Sequence, residues 1–143
     1  MNYNIIRVLL SIIGLSPVRN THDFDLKWEI AESIVEATND IREQDILSRI
    51  AYFESGFRKS VINCSVKGDR GKSLGIFQVQ PISKYDFHNA CGTIQEQVNL
   101  ALNYIHRSFE ACPGNVGADL LSMYVSGTCK RGIKEAKHRW GVD

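Results

Sequence analysis

The sequence has no excess of charge of either sign, no internal repeat and no low-complexity tract. Seventeen basic and sixteen acidic residues leave a net charge of +1, which gives no reason to expect nucleic acid or an acidic partner. The three prolines are scattered, and no stretch has the composition of a linker. With 43% hydrophobic and 23% charged residues, the composition excludes a disordered or collagen-like chain. The 143 residues suffice for one domain with its own core.

Long hydrophobic runs are also missing. The N-terminus carries Arg7 and then an apolar segment over residues 8–15, which is too short to span a bilayer as a helix. The segment suits the apolar region of a signal peptide, although no Ala-x-Ala cleavage site follows it. It suits a short buried helix of the mature fold equally well. We therefore expect residues 1–20 to be either a signal peptide or an N-terminal helix, and residues 21–143 to be the functional domain.

Spacings typical of metal and nucleotide sites are absent as well. The four histidines show no ligand spacing, and the four cysteines include no Cys-x-x-Cys pair. The sequence therefore predicts no metal site and implies no cofactor. A phosphate-binding loop is excluded because Val66 stands where its first glycine would be.

The cysteines of the chain are Cys64, Cys91, Cys112 and Cys129. An even number suits two disulfides in an oxidising compartment, and four buried thiols in a reducing compartment are the alternative. If residues 94–111 form one helix, its ends lie about 27 Å apart. That distance excludes a bond between Cys91 and Cys112, because the Cα atoms of a disulfide lie within about 7 Å. We favour the pairs Cys64 with Cys91 and Cys112 with Cys129.

Hydrophobic periodicity predicts a chain made mainly of helices. Two of them are expected to begin at capping boxes, Asp40 with Glu43 and Thr93 with Glu96. The predicted helices span residues 28–38, 41–54, 94–111, 117–125 and 131–140.

The stretch between the second and third of these helices has a different pattern. Polar residues and glycine dominate residues 58–73, which we expect to form a loop with a short hairpin. Residues 74–80 are rich in apolar side chains and are followed by Pro81, so they are the best candidate for a strand.

One carboxylate falls where the helical pattern requires a core residue. The apolar positions Leu47 and Ile50 continue along the same stripe to Glu54. Ser55 and Gly56 then indicate the end of the helix. The helix dipole there and partial burial both disfavour an ionised carboxylate, so we expect a raised pKa. A carboxylic acid that stays protonated near neutral pH can serve as a general acid; a glutamate that extends into solvent is the alternative.

Three ordered motifs contain or follow this residue. Residues 50–57 read Ile-Ala-Tyr-Phe-Glu-Ser-Gly-Phe, residues 75–81 read Gly-Ile-Phe-Gln-Val-Gln-Pro, and residues 124–127 read Tyr-Val-Ser-Gly. Together they resemble the lysozyme-like lytic transglycosylases, in which a Glu-Ser pair ends a helix before a Gly-Leu-Met-Gln strand. Residues 68–71, Gly-Asp-Arg-Gly, are similar to a segment of goose-type lysozyme. The resemblance implies an α+β, mainly α, lysozyme-like fold with a small β-element and a substrate cleft between two lobes.

The resemblance also implies a function, cleavage of the β-1,4 bond between N-acetylmuramic acid and N-acetylglucosamine in peptidoglycan. Glu54 would protonate the leaving oxygen, as glycoside cleavage requires. In goose-type enzymes the aspartate matching Asp69 holds the attacking water, whereas the transglycosylases use the single glutamate and the N-acetyl group of the substrate. A second aspartate of the goose pattern is Gln80 here. A lytic transglycosylase is therefore the leading expectation, and an inverting lysozyme is the alternative; Asp69 also suits a simple turn.

Five residues are expected to bind the glycan: Ser55, Ser73, Gln78, Gln80 and Tyr124. Several have simpler alternatives, because Gln78 suits a strand residue facing solvent and Tyr124 suits a packed aromatic side chain. Ser55 suits local backbone hydrogen bonds that shape the turn below the carboxylate. A glycine at position 75 would let a glycan approach the backbone.

Peptidoglycan glycan strands are thus the expected partner of a monomer that binds no nucleic acid and has no stable membrane span. Such an enzyme would be exported to the periplasm or cell wall, or delivered there by a phage. The predicted C-terminal helix has a basic face that includes Arg139, which suits either anionic wall polymers or a solvated surface. The second alternative is a glycan-binding component of a wall or virion that has lost turnover.

Overall fold

The computed structural model describes residues 2–113, 121, 124, 128–130 and 132–140. This part of the chain is mainly helical, which confirms the helical class predicted from the periodicity. The helices are α1 (Tyr3–Leu15), α2 (Thr21–Ala37), α3 (Ile41–Ser55), α4 (Lys59–Ile62), α5 (Lys84–Ala90), α6 (Ile94–Ala111) and α7 (Ile133–Trp140). A single 3₁₀ turn, Asp69–Gly71, lies between α4 and α5.

Side-chain caps begin five of these helices, because a side-chain oxygen there satisfies a backbone N–H that has no partner within the helix. The capping residues are Asn2, Asn20, Asp40, Ser83 and Thr93. The cap at Asn20 explains why α2 begins at Thr21, a full two turns before the periodic apolar pattern that we used to place its start.

The capping box predicted at Thr93 and Glu96 is confirmed, with both reciprocal hydrogen bonds present. The one predicted at Asp40 and Glu43 is only half formed. Asp40 accepts from the Glu43 backbone N–H at 3.0 Å, but the Glu43 carboxylate accepts from Thr38 Oγ1 at 2.6 Å instead. It also meets His106 Nε2 of α6. Tertiary contacts of this side chain have therefore replaced the local bond that the spacing predicted.

The core lies where α1, α2 and α3 pack against one another, with α6 against α2, α5 against α6 and α7 against α3. Burial of these apolar faces is the main favourable contribution to folding. The apolar segment of residues 8–15 lies within α1, where Val8, Leu9 and Ile12 are buried in this core. No helix in the described part of the chain combines the length and hydropathy needed to cross a membrane.

Both expected disulfides are present. Cys64 bonds to Cys91 with their Cα atoms 5.9 Å apart, and Cys112 bonds to Cys129 at 5.4 Å. The first joins the chain after α4 to the end of α5. The second joins the end of α6 to the segment that leads into α7, and it therefore holds the C-terminal part of the chain close to the helical core.

The strand predicted over residues 74–80 is wrong. Leu74 pairs with Val79 in an isolated antiparallel bridge, and Gly68 pairs in the same way with Ser73. Positive φ angles at Gly75 and Gln78, 79° and 48°, turn the chain back on itself within a few residues. The apolar side chains of this segment are buried without the alternation of a strand. The small β-element is thus a pair of tight turns. Its amino-acid composition is typical of a strand, but its backbone is not extended.

The helix predicted over residues 117–125 falls largely outside the described residues. Of its expected apolar face, Leu121 is buried and Tyr124 is half-buried. The last predicted helix is confirmed as α7, which begins at Ile133 and buries Ala136 and Trp140.

Candidate functional site

A cleft of about 750 Å³ opens between the end of α3, the turns of residues 68–80, α6 and α7. Six of the seven residues that the sequence analysis assigned to a site line this cleft: Glu54, Asp69, Ser73, Gln78, Gln80 and Tyr124. These residues come from distant parts of the sequence, and the fold brings them to one surface. A cavity of this size accommodates a small ligand or a few sugar units.

Glu54 lies in the last turn of α3, which ends with Gly56 in the left-handed conformation at φ 58°. Its side chain is 19% exposed, and its Oε1 lies 3.2 Å from Nη1 of Arg139. The apolar stripe therefore predicted the position of this carboxylate correctly. A guanidinium at this distance favours the ionised form of a carboxylate. This contact opposes the dipole and burial effects from which we expected a protonated acid.

Ser55 is fully buried. Its Oγ donates to the Ala51 carbonyl oxygen at 2.8 Å and accepts from the Phe57 backbone N–H at 3.2 Å. These bonds shape the turn below the Glu54 carboxylate, which is the alternative role that we gave for Ser55. The assignment of Ser55 to glycan binding is not supported, because no part of its side chain is exposed to the cleft.

Asp69 lies in a turn closed by the bond from the Gly71 N–H to the Gly68 carbonyl oxygen, 2.9 Å. Asp69 and Arg70 both have positive φ, 48° and 58°, which is unusual for residues other than glycine. Strained backbone of this kind persists where the surroundings hold it, and it clusters at functional sites. The turn predicted as the simpler alternative is therefore present, and its carboxylate still lines the cleft.

The Asp69 carboxylate is held by the two neighbours that we had assigned to glycan binding. Ser73 Oγ donates to its Oδ2 in a short contact, and Gln80 Nε2 donates to the same oxygen at 3.2 Å. Gln80 Nε2 also lies 3.3 Å from Ser73 Oγ. The three side chains form one network. Ser73 and Gln80 thus orient the Asp69 carboxylate. The spacing of the motifs did not predict this role.

Gln78 lines the cleft with its amide fixed by a bond from Nε2 to the Gly75 carbonyl oxygen at 2.9 Å. Its Oε1 packs against Gly68, where an added Cβ would lie only 2.2 Å away. Gly75 has a different role from the one expected. It is buried, and an added Cβ would lie 2.3 Å from the Ala90 carbonyl oxygen. This glycine therefore permits close packing inside the protein, not the approach of a glycan.

Tyr124 is the one described residue of the motif over residues 124–127. Its hydroxyl donates to the Phe77 carbonyl oxygen at 2.8 Å, and its ring meets Trp140 edge-on with centroids 5.5 Å apart. Burial and then the nearby negative charge of Glu54 raise the pKa of Tyr124 well above its ordinary value of 10. The phenol is therefore neutral at physiological pH. Its single proton is donated to Phe77, so towards a ligand its oxygen can act only as a hydrogen-bond acceptor.

The part of the cleft formed by α6 contains residues that the sequence analysis missed. Tyr104 donates to Asp86 Oδ2 at 2.7 Å, and burial together with this bond raises the pKa of Tyr104 to about 12. The Arg107 guanidinium stacks on the Tyr104 ring at 4.7 Å and lies 3.6 Å from the buried Asp86 carboxylate. Only the helical spacing of Tyr104 and Arg107 was visible in the sequence, and it is equally typical of a solvated helix face.

Among the described residues, no group of three or more histidine, cysteine, aspartate or glutamate side chains is placed to hold a metal ion. Comparisons of this chain with protein families, with curated proteins and with solved structures find no match.

Proposed function

We propose that this protein is a peptidoglycan glycosidase that cleaves the β-1,4 bond between N-acetylmuramic acid and N-acetylglucosamine, acting as a lytic transglycosylase. The observation that carries the proposal is the position of Glu54, a carboxylate largely shielded from solvent at the end of a helix, in a cleft that also contains Tyr124 and Gln78. The motif resemblance supplies the reaction class. A fold of the lysozyme type, with two lobes flanking the cleft, belongs to the same proposal.

On this route Glu54 begins the reaction as an acid and continues it as a base. Its proton passes to the glycosidic oxygen as the bond from that oxygen to the muramic C1 breaks. The carbonyl oxygen of the N-acetyl group attacks C1 from the opposite face and holds the positive charge. The Glu54 carboxylate then removes the proton of the muramic C6 hydroxyl, whose oxygen closes the anhydro ring on C1. As this bond forms, the bond from the N-acetyl oxygen to C1 breaks. Glu54 ends protonated again, with the proton of the C6 hydroxyl, and no water is consumed.

Arg139 places a positive charge beside this acid. Its contact with Glu54 favours the carboxylate, whereas the first step needs the carboxylic acid. A glycan in the cleft would exclude water and compete with Arg139 for the same oxygen. Both effects would favour the protonated form of Glu54 in the complex with substrate.

Tyr124 and Gln78 suit the roles of hydrogen-bonding partners of the sugar. The Tyr124 phenol is kept neutral by its surroundings and donates its proton to Phe77, so its oxygen would accept from a sugar hydroxyl. The Gln78 amide is fixed by its bond to Gly75. Its remaining hydrogen-bonding capacity is therefore already oriented, and little side-chain entropy is lost when a ligand binds.

An inverting hydrolase is the second candidate, and the network around Asp69 favours it. A carboxylate held by Ser73 and Gln80 at the cleft surface could position an attacking water molecule, in place of the pair of aspartates that goose-type lysozymes use. A non-catalytic glycan-binding protein is the third candidate, and the presence of Glu54 argues against it. The two disulfides suit export to a periplasm or cell wall, or delivery there by a phage.

Digestion of purified peptidoglycan followed by mass spectrometry of the products tests the proposal. A transglycosylase releases muropeptides with anhydro ends, lighter by one water molecule than the products of a hydrolase. Reducing ends would instead establish the lysozyme reaction, in which Asp69 is the candidate for positioning water. Intact glycan recovered in complex with the protein would establish the binding protein and overturn both enzyme assignments.

A further inference from the structure

We infer that Arg107 forms a carboxylate-binding subsite in the cleft, which recognises the acidic groups of a peptidoglycan strand. The inference rests on the proposed function and concerns the wall of the cleft formed by α6. Of the described residues that line the cleft, two are cations, Arg107 and Arg139. Arg139 faces Glu54, so Arg107 is the cation that the reaction itself does not use.

The guanidinium of Arg107 is held in place before any ligand arrives. Its Cζ lies 4.7 Å from the centroid of the Tyr104 ring, and stacking of this kind fixes the plane of the group. Nη1 lies 3.6 Å from Asp86 Oδ2. Asp86 is buried, and it accepts from the Tyr104 hydroxyl at 2.7 Å, so the support beneath Arg107 is itself ordered. A guanidinium fixed in this way loses little entropy on binding a ligand.

The same guanidinium is open to the cleft. Half of the Arg107 side chain is exposed, and the contact with Asp86, beyond hydrogen-bonding distance, leaves its N–H groups available. Arginine presents parallel donors that match the two oxygens of a carboxylate. The lining therefore combines a fixed cation, the exposed apolar side chain of Ile82 and the polar Gln80, which suits a sugar bearing a carboxylate.

Two sources on a wall glycan carry this chemistry. A muramic residue without a peptide exposes the carboxylate of its lactyl group, and a muramic residue with a peptide exposes the carboxylates of that peptide. Chitin oligosaccharides have the same sugar backbone and N-acetyl groups without any carboxylate. Comparing the chitin oligosaccharide with the two wall glycans therefore separates recognition of charge from recognition of the sugar. Comparing the two wall glycans with each other distinguishes the lactyl carboxylate from those of the peptide.

The test is isothermal calorimetry with the Glu54→Gln protein, which keeps the ligand intact, with and without a second substitution at Arg107. The ligands are a chitin oligosaccharide, a peptide-free wall glycan and a peptide-bearing wall glycan of equal length. We expect Arg107→Gln to weaken binding of the acidic glycans about tenfold, the usual effect of losing one charge-assisted bond, and to leave the chitin oligosaccharide unaffected. Loss confined to one acidic glycan identifies the source of the carboxylate.

Two further variants guard against other causes. Arg42→Gln removes the same charge from an exposed position outside the cleft and should change none of the affinities. Arg107→Lys keeps the charge without the paired donors and should give an intermediate loss. Equal weakening of all three ligands by Arg107→Gln, or no weakening of any, would overturn the subsite while leaving the glycosidase proposal intact. Failure of the Glu54→Gln protein with Arg107 intact to bind any of them would overturn both.

Discussion

Arg139 Nη1 lies 3.2 Å from Glu54 Oε1, although 85 positions separate the two residues in the sequence. The pair joins α7 to the last turn of α3 and closes one side of the cleft. Side-chain exposures of 36% for Arg139 and 19% for Glu54 place the contact at the boundary between the core and solvent. The C-terminal helix thus sets the charge environment of the proposed acid.

Removing this guanidinium should change how activity depends on pH. In Arg139→Gln the ionised carboxylate of Glu54 loses a stabilising charge, so protonated Glu54 persists to higher pH. We expect the alkaline limb of the activity profile to move upward by less than about one unit, because a partly exposed pair contributes at most about 1 kcal/mol. Turnover of peptidoglycan measured across a pH series checks this. As a control, Lys134→Gln at an exposed position of the same helix should not change the pH profile. If Arg139→Gln also leaves the profile unchanged, Arg139 does not influence the proposed acid.

Asp69 distinguishes the two enzyme mechanisms. A transglycosylase does not need a water-positioning carboxylate, so Asp69→Asn should retain cleavage within about threefold and still give anhydro products. The amide oxygen of the new side chain can accept from Ser73 and Gln80, which preserves the turn. Product masses and initial rates are the measurement. If the substitution abolishes cleavage while the wild-type protein gives reducing ends, the inverting mechanism is correct.

Lys27 and Asp23 form a buried ion pair that should control acid stability. Lys27 is fully buried, with its Nζ 2.8 Å from Asp23 Oδ2 and hydrogen-bonded to Ser16 and the Pro17 carbonyl oxygen. Burial acts to raise the pKa of Asp23, but the Lys27 hydrogen bond, the Arg19 backbone N–H and both positive charges lower it below its ordinary value of 3.8. This contribution to stability is complete above that value and is lost as the pH falls through the lowered pKa.

Urea unfolding at pH 7 and at a series of acidic pH values tests this account. Lys27→Met leaves a buried carboxylate without its cation, and we expect a loss of about 3–5 kcal/mol at pH 7. The loss should shrink as the pH falls, beginning above the ordinary value of 3.8, because without Lys27 burial raises the pKa of Asp23 and the carboxylate becomes protonated. Lys67→Met, at an exposed position, is the matched control. A penalty that stays constant from pH 7 to acid would show that Asp23 does not cause it.

The disulfide between Cys112 and Cys129 encloses the segment that carries Tyr124. Replacing both cysteines with alanine should lower the free energy of unfolding by about 3 kcal/mol, given the sequence separation of 17. Activity should fall further than this loss of stability explains, because Tyr124 and α7 supply one wall of the cleft. Unfolding curves and turnover below the unfolding transition provide the comparison. The Cys64→Ala, Cys91→Ala protein is the control, and equal losses of activity in the two would contradict the argument.

The features predicted correctly from the sequence depend on short spacings. The two residues of the capping box, Thr93 and Glu96, are only three positions apart. The buried stripe of α3 depends on residues spaced by one helical turn. The length of α6 excluded a bond between Cys91 and Cys112, and the pairing that we favoured among the rest is the one present. Each of these inferences involves backbone geometry that neighbouring residues fix among themselves.

The failures involve distant contacts or unusual backbone angles. The run from Leu74 to Gln80 has the composition of a strand, but positive φ at Gly75 and Gln78 folds it into turns, and no spacing rule reports such angles at a glutamine. Arg139 belonged to a basic helix face with no sign of its partner at Glu54. The tertiary fold decided both outcomes. Six residues that line the cleft could be named from the sequence, but their contacts could not.

The central claim is that the Glu54 carboxyl group transfers the proton during glycan cleavage, and rates on purified peptidoglycan test it most directly. Glu54→Gln keeps the shape of the side chain and removes the transferable proton, while Glu32→Gln makes the same change at an exposed position on α2. We predict that release of soluble muropeptides falls at least about a thousandfold in Glu54→Gln and is unchanged in Glu32→Gln. Release by Glu54→Gln at the wild-type rate would contradict the account.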